Sequence, residues 1–95
     1  MRIEYGVESL RRLAEEPDYR PRPDVVRAYR RKVPLIDAAD DERDLRAMRG
    51  LRFEQLSGER EGTCSIRLND QFRLILTFKT EGERIAVILE LVGYH

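Results

Sequence analysis

Two arginines six positions apart pose the first chemical question. Arg67 and Arg73 flank the polar trio Asn69, Asp70 and Gln71, between runs 62–68 and 72–78 that are rich in β-branched and apolar residues. Such a pattern predicts a β-hairpin with its loop at the trio. A two-residue turn on Asn69 and Asp70 would set Arg67 opposite Phe72 and Ile66 opposite Arg73, mixing the faces. Counting all three as loop sets Leu68 opposite Phe72, Ile66 opposite Leu74 and Cys64 opposite Leu76. That gives one clean apolar face, and burial selects this register. It also places Arg67 directly opposite Arg73, with Ser65 and Ile75 beside them on the other face. Like charges facing each other destabilise a sheet. The pair persists most easily where an anion, a carboxylate or a phosphate, satisfies it. Two long side chains that splay into water are the alternative, at little cost.

The elements that must carry this hairpin are legible in the spacing of apolar residues. Residues 1–5 alternate around Ile3 and fit a short edge strand. Val7, Leu10, Leu13 and Ala14 recur at helical spacing, and Pro17 ends that helix. An irregular arm with Arg20 and Arg22 follows, and Pro23 or Asp24 opens a second helix whose stripe is Val26, Tyr29, Val33 and Ile36, with Val25 alongside. Pro34 predicts a kink near 31–33, or two shorter helices, because it removes a hydrogen bond and clashes with the Arg30 carbonyl. Asp40 or Asp41 caps a short turn that places Leu45 and Met48 inward, with Gly50 closing it. Residues 51–56 read as a strand with Leu51 and Phe53 inward and Arg52 and Glu54 outward.

A polar loop at 57–62 leads into the hairpin, and residues 80–83 form a second turn. The last strand has Ile85, Val87, Leu89 and Leu91 on one face and Ala86, Ile88, Glu90 and Val92 on the other, which suits an interior strand. The expected architecture is α+β, a single domain over 1–95: two N-terminal helices on one face of a twisted, mainly antiparallel sheet of about four strands. The other face carries Arg52, Glu54, Arg67 and Arg73, joined by Glu90 and Tyr94 if strand parity holds. That open face is the candidate site.

Composition narrows the function classes. Lys+Arg and Asp+Glu number 18 each in 95 residues, a balance that argues against a general nucleic-acid coat. Charge is nevertheless local. Arg20, Arg22, Arg27, Arg30, Arg31 and Lys32 form a basic block, followed by the acidic Asp37, Asp40, Asp41, Glu42 and Asp44. The lone Cys64 falls on the apolar face of the hairpin and reads as a small hydrophobe. No Cys/His cluster suits zinc, and the apolar run 85–89 is far too short to span a membrane. With no signal-peptide pattern at the start, the expectation is a cytoplasmic protein.

Several stretches resemble the HigB group of plasmid-maintenance killer toxins, within the RelE/ParE toxin superfamily. They are Leu35-Ile-Asp-Ala-Ala39, Asp44-Leu-Arg46, Leu56-Ser-Gly58, Ser65-Ile-Arg-Leu-Asn69, Phe72-Arg73 and the terminal Tyr94-His95, and the likeness covers roughly residues 24–95. The order and spacing of these pieces make it fairly specific. The resemblance implies a compact RelE-like microbial RNase fold and a ribosome-dependent mRNA endonuclease needing no metal or other cofactor. It further implies a helix-turn-helix, HigA-like antitoxin as partner, with operator DNA reached only through that antitoxin.

Residue by residue, Arg67 and Arg73 match the sheet arginines that hold the scissile phosphate, and Glu54 matches a position carrying Glu or His. Tyr94 and His95 match the last two residues of an Asp-Tyr-His ending, with Gly93 in place of that Asp; Cys64 and Phe72 stand where Trp is usual. Metal-free RNA cleavage needs a base for the 2′-hydroxyl, an acid for the leaving oxygen and positive charge on the phosphate. Arg67 and Arg73 supply charge in a planar form suited to phosphate, Glu54 a base, His95 an acid or base, and Tyr94 a stacking ring or proton. Arg27, Arg30, Arg31 and Arg52 are the candidates for docking on ribosomal RNA. Two other readings remain open: a non-enzymatic gyrase inhibitor like ParE relatives, and a catalytically weakened toxin that acts mainly as an antitoxin-binding module. Glu54 paired with Arg52 or Arg67, Arg73 paired with Glu90 or Glu54 to pin the sheet, and a frayed terminal His95 are the structural counterparts.

Overall fold

Five strands form one sheet in the computed structural model, which describes residues 1–93. The elements are β1 (Arg2–Tyr5), α1 (Glu8–Glu15), α2 (Pro23–Ala38), α3 (Glu42–Ala47), β2 (Glu54–Gln55), β3 (Cys64–Arg67), β4 (Phe72–Glu81) and β5 (Glu83–Gly93). Single 3-10 turns lie at Arg49–Leu51 and Gly58–Arg60. Strand order is β1-β5-β4-β3-β2, with β1 parallel to β5 and the other neighbours antiparallel. The short edge strand expected at 1–5 is β1, which makes the sheet five-stranded where about four were expected; its Ile3 and Tyr5 pair with Ala86 and Ile88 and pack on the core. A parallel partner needs a long crossover, which the helices and the rest of the chain provide. No helix of the described residues is long and apolar enough to cross a membrane.

The hairpin adopts the three-residue loop. Cys64 pairs with Leu76, Ile66 with Leu74 and Arg67 with Arg73, while Leu68 N donates to Phe72 O at 2.9 Å. Asn69 fixes the loop by accepting at Oδ1 from the backbone N–H of both Gln71 and Phe72, each at 2.9 Å. The second reversal is tight, with Gly82 at φ 75° between β4 and β5.

Strict alternation along β5 fails at one place. Ile75 pairs with Glu90 but Leu76 pairs with Ile88, so Leu89 is an extra residue and the strand bulges there. On the near side of the bulge Ala86 and Ile88 face the helices; on the far side Leu91 does, opposite Leu74. Glu90 and Val92 fall on the face of Ile75 and Arg73. Glu90 therefore joins that face as expected, but through the bulge and not through parity.

The helices cover the other face. Leu10, Leu13, Val26, Tyr29, Ile36, Ala39 and Leu45 meet Ile66, Leu74, Leu76, Ala86 and Ile88, all buried. The Tyr29 hydroxyl is satisfied there by donating to the Leu10 carbonyl at 2.8 Å. α2 runs through Pro34 as one helix and not two. Asp41 caps α3 by accepting from Arg43 N at 2.9 Å, worth about 1 kcal/mol.

The strand expected at 51–56 shrinks to Glu54–Gln55. Leu51 is buried in a 3-10 turn, and Arg52 follows with φ 46° and ψ 55°, a left-handed conformation that cannot continue a pleat. The glycine expected to close the turn, Gly50, has no positive φ; Arg52 takes that role. Phe53 still turns inward, stacking on Phe78 with ring centroids 6.4 Å apart.

Candidate functional site

On the face of the sheet away from the helices, a recess of about 390 Å³ is lined by Arg52, Glu54, Arg67, Asp70 and Arg73. Its volume is in the range that holds a small polar ligand. The hairpin register supplies Arg67 and Arg73 as a cross-strand pair. Glu54 enters from β2, where it pairs with Ser65. Ser65 is buried in the same row, and its hydroxyl has no hydrogen-bond partner among the described residues.

The two arginines differ in how they are held. The Arg73 side chain is only 13% exposed; its Nη2 donates to the Arg52 carbonyl at 2.6 Å, and its Nη1 lies 3.5 Å from Glu54 Oε2. Arg67 is 30% exposed and is paired with Asp70, three residues on, whose own side chain is 91% exposed. Glu54 thus meets Arg73, one of the two pairs expected if Arg73 pins the sheet, and not Arg52 or Arg67. A carboxylate beside a guanidinium on a concave polar surface can receive a proton from a hydroxyl placed within hydrogen-bond reach of it.

Glu90 shares the face but not the recess. Arg60 Nη1 reaches it at 2.7 Å and holds its carboxyl below the usual carboxylate range. The 57–62 loop therefore folds over part of the face expected to be open, and Thr77 Oγ1 donates to Gly62 O at 3.0 Å beside it. Tyr94 and His95 lie outside the described residues. Gly93 pairs with Phe72, so a side chain there would sit beside the Phe72 ring (Cε1 at 3.9 Å from an ideal Cβ) on the helix-side face. An Asp at this position, which the resemblance implies, would therefore start outside the row of Arg67 and Arg73.

The basic block divides. Arg27 and Arg31 are exposed on α2. Arg31 and Lys32 line a second recess with Leu35, Leu68 and Asn69 that shares Arg67 and Asp70 with the first. Arg30 is engaged elsewhere: it donates to the carbonyls of Leu13 at 2.8 Å, Glu16 at 2.7 Å, and Pro17 and Tyr19 at 3.4 Å each. It satisfies the last turn of α1, where carbonyls lack partners. Asp70 is the lining residue that sequence reasoning passed over as loop; its spacing of three from Arg67 across a hairpin end was the available signal.

A family model described as RelE-like toxin of type II toxin-antitoxin system HigB matches residues 4–95. Toxin HigB-1 of Vibrio cholerae serotype O1 (strain ATCC 39315 / El Tor Inaba N16961) is 51% identical over 51 residues, 54% of each chain. The match therefore spans about half the length of that curated relative. The solved YoeB/ParE toxin from Agrobacterium tumefaciens superposes with a TM-score of 0.62 over 100% of both chains at 14% identity, a likeness of fold.

Proposed function

The chain belongs to the HigB-like family of RelE-like toxins of type II toxin-antitoxin systems, and from that membership we propose that it is an endoribonuclease that cuts mRNA on the ribosome. The observation that supports this most is the facing pair Arg67 and Arg73 with Glu54 3.5 Å from the second arginine. In the proposed reaction the 2′-oxygen of the substrate attacks the adjacent phosphorus and the 5′-oxygen of the next nucleotide leaves. Glu54 takes the 2′-hydroxyl proton, and the two guanidiniums hold the equatorial oxygens as negative charge builds on them. The proton for the leaving oxygen is assigned to His95 or Tyr94 by the family resemblance. So few groups leave the RNA's own conformation to be ordered by the ribosome. Arg27, Arg31 and Arg52 are the proposed contacts to its RNA, and a helix-turn-helix antitoxin neutralises the toxin in the cytoplasm.

Induction of the protein alone in a bacterial host tests this. The expected result is arrested translation, with transcripts cut inside reading frames and little cutting of free RNA by the purified protein. DNA-damage signalling with intact transcripts would replace the nuclease by a gyrase inhibitor.

A further inference from the structure

We propose that Asp70 is an internal stand-in for phosphate, occupying the Arg67 guanidinium in the free protein and yielding it to single-stranded RNA. The inference rests on the phosphate-binding reading of Arg67 and Arg73. The loop backbone is pinned by Asn69, which accepts from Gln71 N and Phe72 N, so Asp70 projects from a fixed base. Its side chain is 91% exposed, and its one ion pair among the described residues is with Arg67. An exposed pair at this spacing is weak, worth a few-fold in equilibrium, and a strand whose successive phosphodiesters also meet Arg73 displaces it, although each phosphate carries the same single charge as the carboxylate.

Arg73 is the contrast. It is 13% exposed and tied to the Arg52 carbonyl, so it keeps its orientation whether or not an anion is present. One arginine is thus set in place and the other is switched. Asp70 also borders both the recess of Arg52 and Arg73 and the recess of Arg31 and Lys32. A strand of RNA crossing between them passes this carboxylate, which sets how readily the face accepts a polyanion.

The probe is a short 2′-O-methyl oligoribonucleotide, which binds but lacks the attacking hydroxyl. Its affinity is measured with the parent, Asp70→Asn, Arg67→Ala and the double variant, each checked for folding by thermal unfolding. Asp70→Asn is expected to bind about two- to fivefold tighter, the scale of an exposed pair, and this gain should vanish in the Arg67→Ala background. Equal gains in both backgrounds would reduce Asp70 to a general field effect and overturn the proposal. So would unchanged or weaker binding by Asp70→Asn. If Arg67→Ala alone binds like the parent, the phosphate reading of the arginine pair has failed, and the inference falls with it.

Discussion

Arg73 Nη2 donates a 2.6 Å hydrogen bond to the carbonyl of Arg52, the one non-glycine residue with positive φ among the described residues. The bond fastens a strained connection to the centre of the candidate site. Relief of the facing Arg67 charge alone would leave Arg73→Ala neutral for stability. The lost bond changes that expectation to a cost of about 1 kcal/mol, or roughly 4–8 °C in Tm. The loss of a charge-assisted contact to the transition state costs more, about 3–4 kcal/mol or 10²–10³ in rate. Growth arrest should therefore disappear while the protein remains folded, as thermal unfolding beside a growth assay would report. A variant that stays fully toxic would remove Arg73 from the site.

Arg30 should behave differently from its helical neighbours. Its four carbonyl partners make Arg30→Ala a structural change, expected to cost about 1.5–3 kcal/mol as charged hydrogen bonds are lost. Arg27→Glu with Arg31→Glu should leave Tm nearly unchanged, weaken ribosome co-sedimentation and flatten its dependence on salt. Unaltered sedimentation would make those two arginines an ordinary solvated face.

Burial pushes the Cys64 thiol up to about 12 from its ordinary 9. The neutral thiol is then favoured in the folded state, so its contribution to stability is complete below pH of about 9. It is lost as pH rises through the folded value near 12, because the unfolded chain releases the proton first. The native protein should resist thiol alkylation at neutral pH. Cys64→Ala should flatten the alkaline fall in Tm relative to the parent, and an identical alkaline limb in both proteins would contradict the burial argument. The buried Tyr29 phenol, also shifted up by burial, is common to both and cancels in that comparison.

Placing at position 93 the Asp that the family resemblance implies makes a further check. An ideal Cβ there meets Gln71 O at 3.8 Å and Phe72 Cε1 at 3.9 Å, ordinary contacts, so Gly93→Asp should fold with a stability change within about 0.5 kcal/mol. Arg22, 5.1 Å over the Phe72 ring, is a cation on that side. Toxicity should then change far less than in Arg73→Ala. A sharp gain in growth arrest would mean the new carboxylate reaches the arginine face after all.

What was legible in the sequence depended on how far apart the determining residues lie. The hairpin register followed from alternation and three loop residues, and with it came the Arg67–Arg73 pairing, because a slip would have exposed Ile66 and Leu74. The helix stripes were readable for the same reason, except at Val7, which precedes α1 as its N-cap and is exposed. Arg52 in a left-handed conformation was not, since nothing local marks an arginine for it; the buried Leu51 before it and Phe53 after it set the backbone. Arg60 with Glu90, thirty residues apart, and Arg30 with the end of α1 were equally hidden. Both depend on elements meeting in space, and an exposed-looking arginine carries no sign of its partner.

The extra residue at Leu89 decides which side chains at the end of β5 reach the candidate face. On one side of it β5 serves the core with even-numbered residues, on the other with odd ones. Exchanging side chains along this strand alters packing locally, whereas flattening the bulge at an unchanged residue count would rotate all that follows by half a turn. Glu90 and Val92 would then point at the helices and Leu91 at solvent. The face that Glu90 and Val92 reach is thus held by the bulge itself more strictly than by the identity of the residues around it.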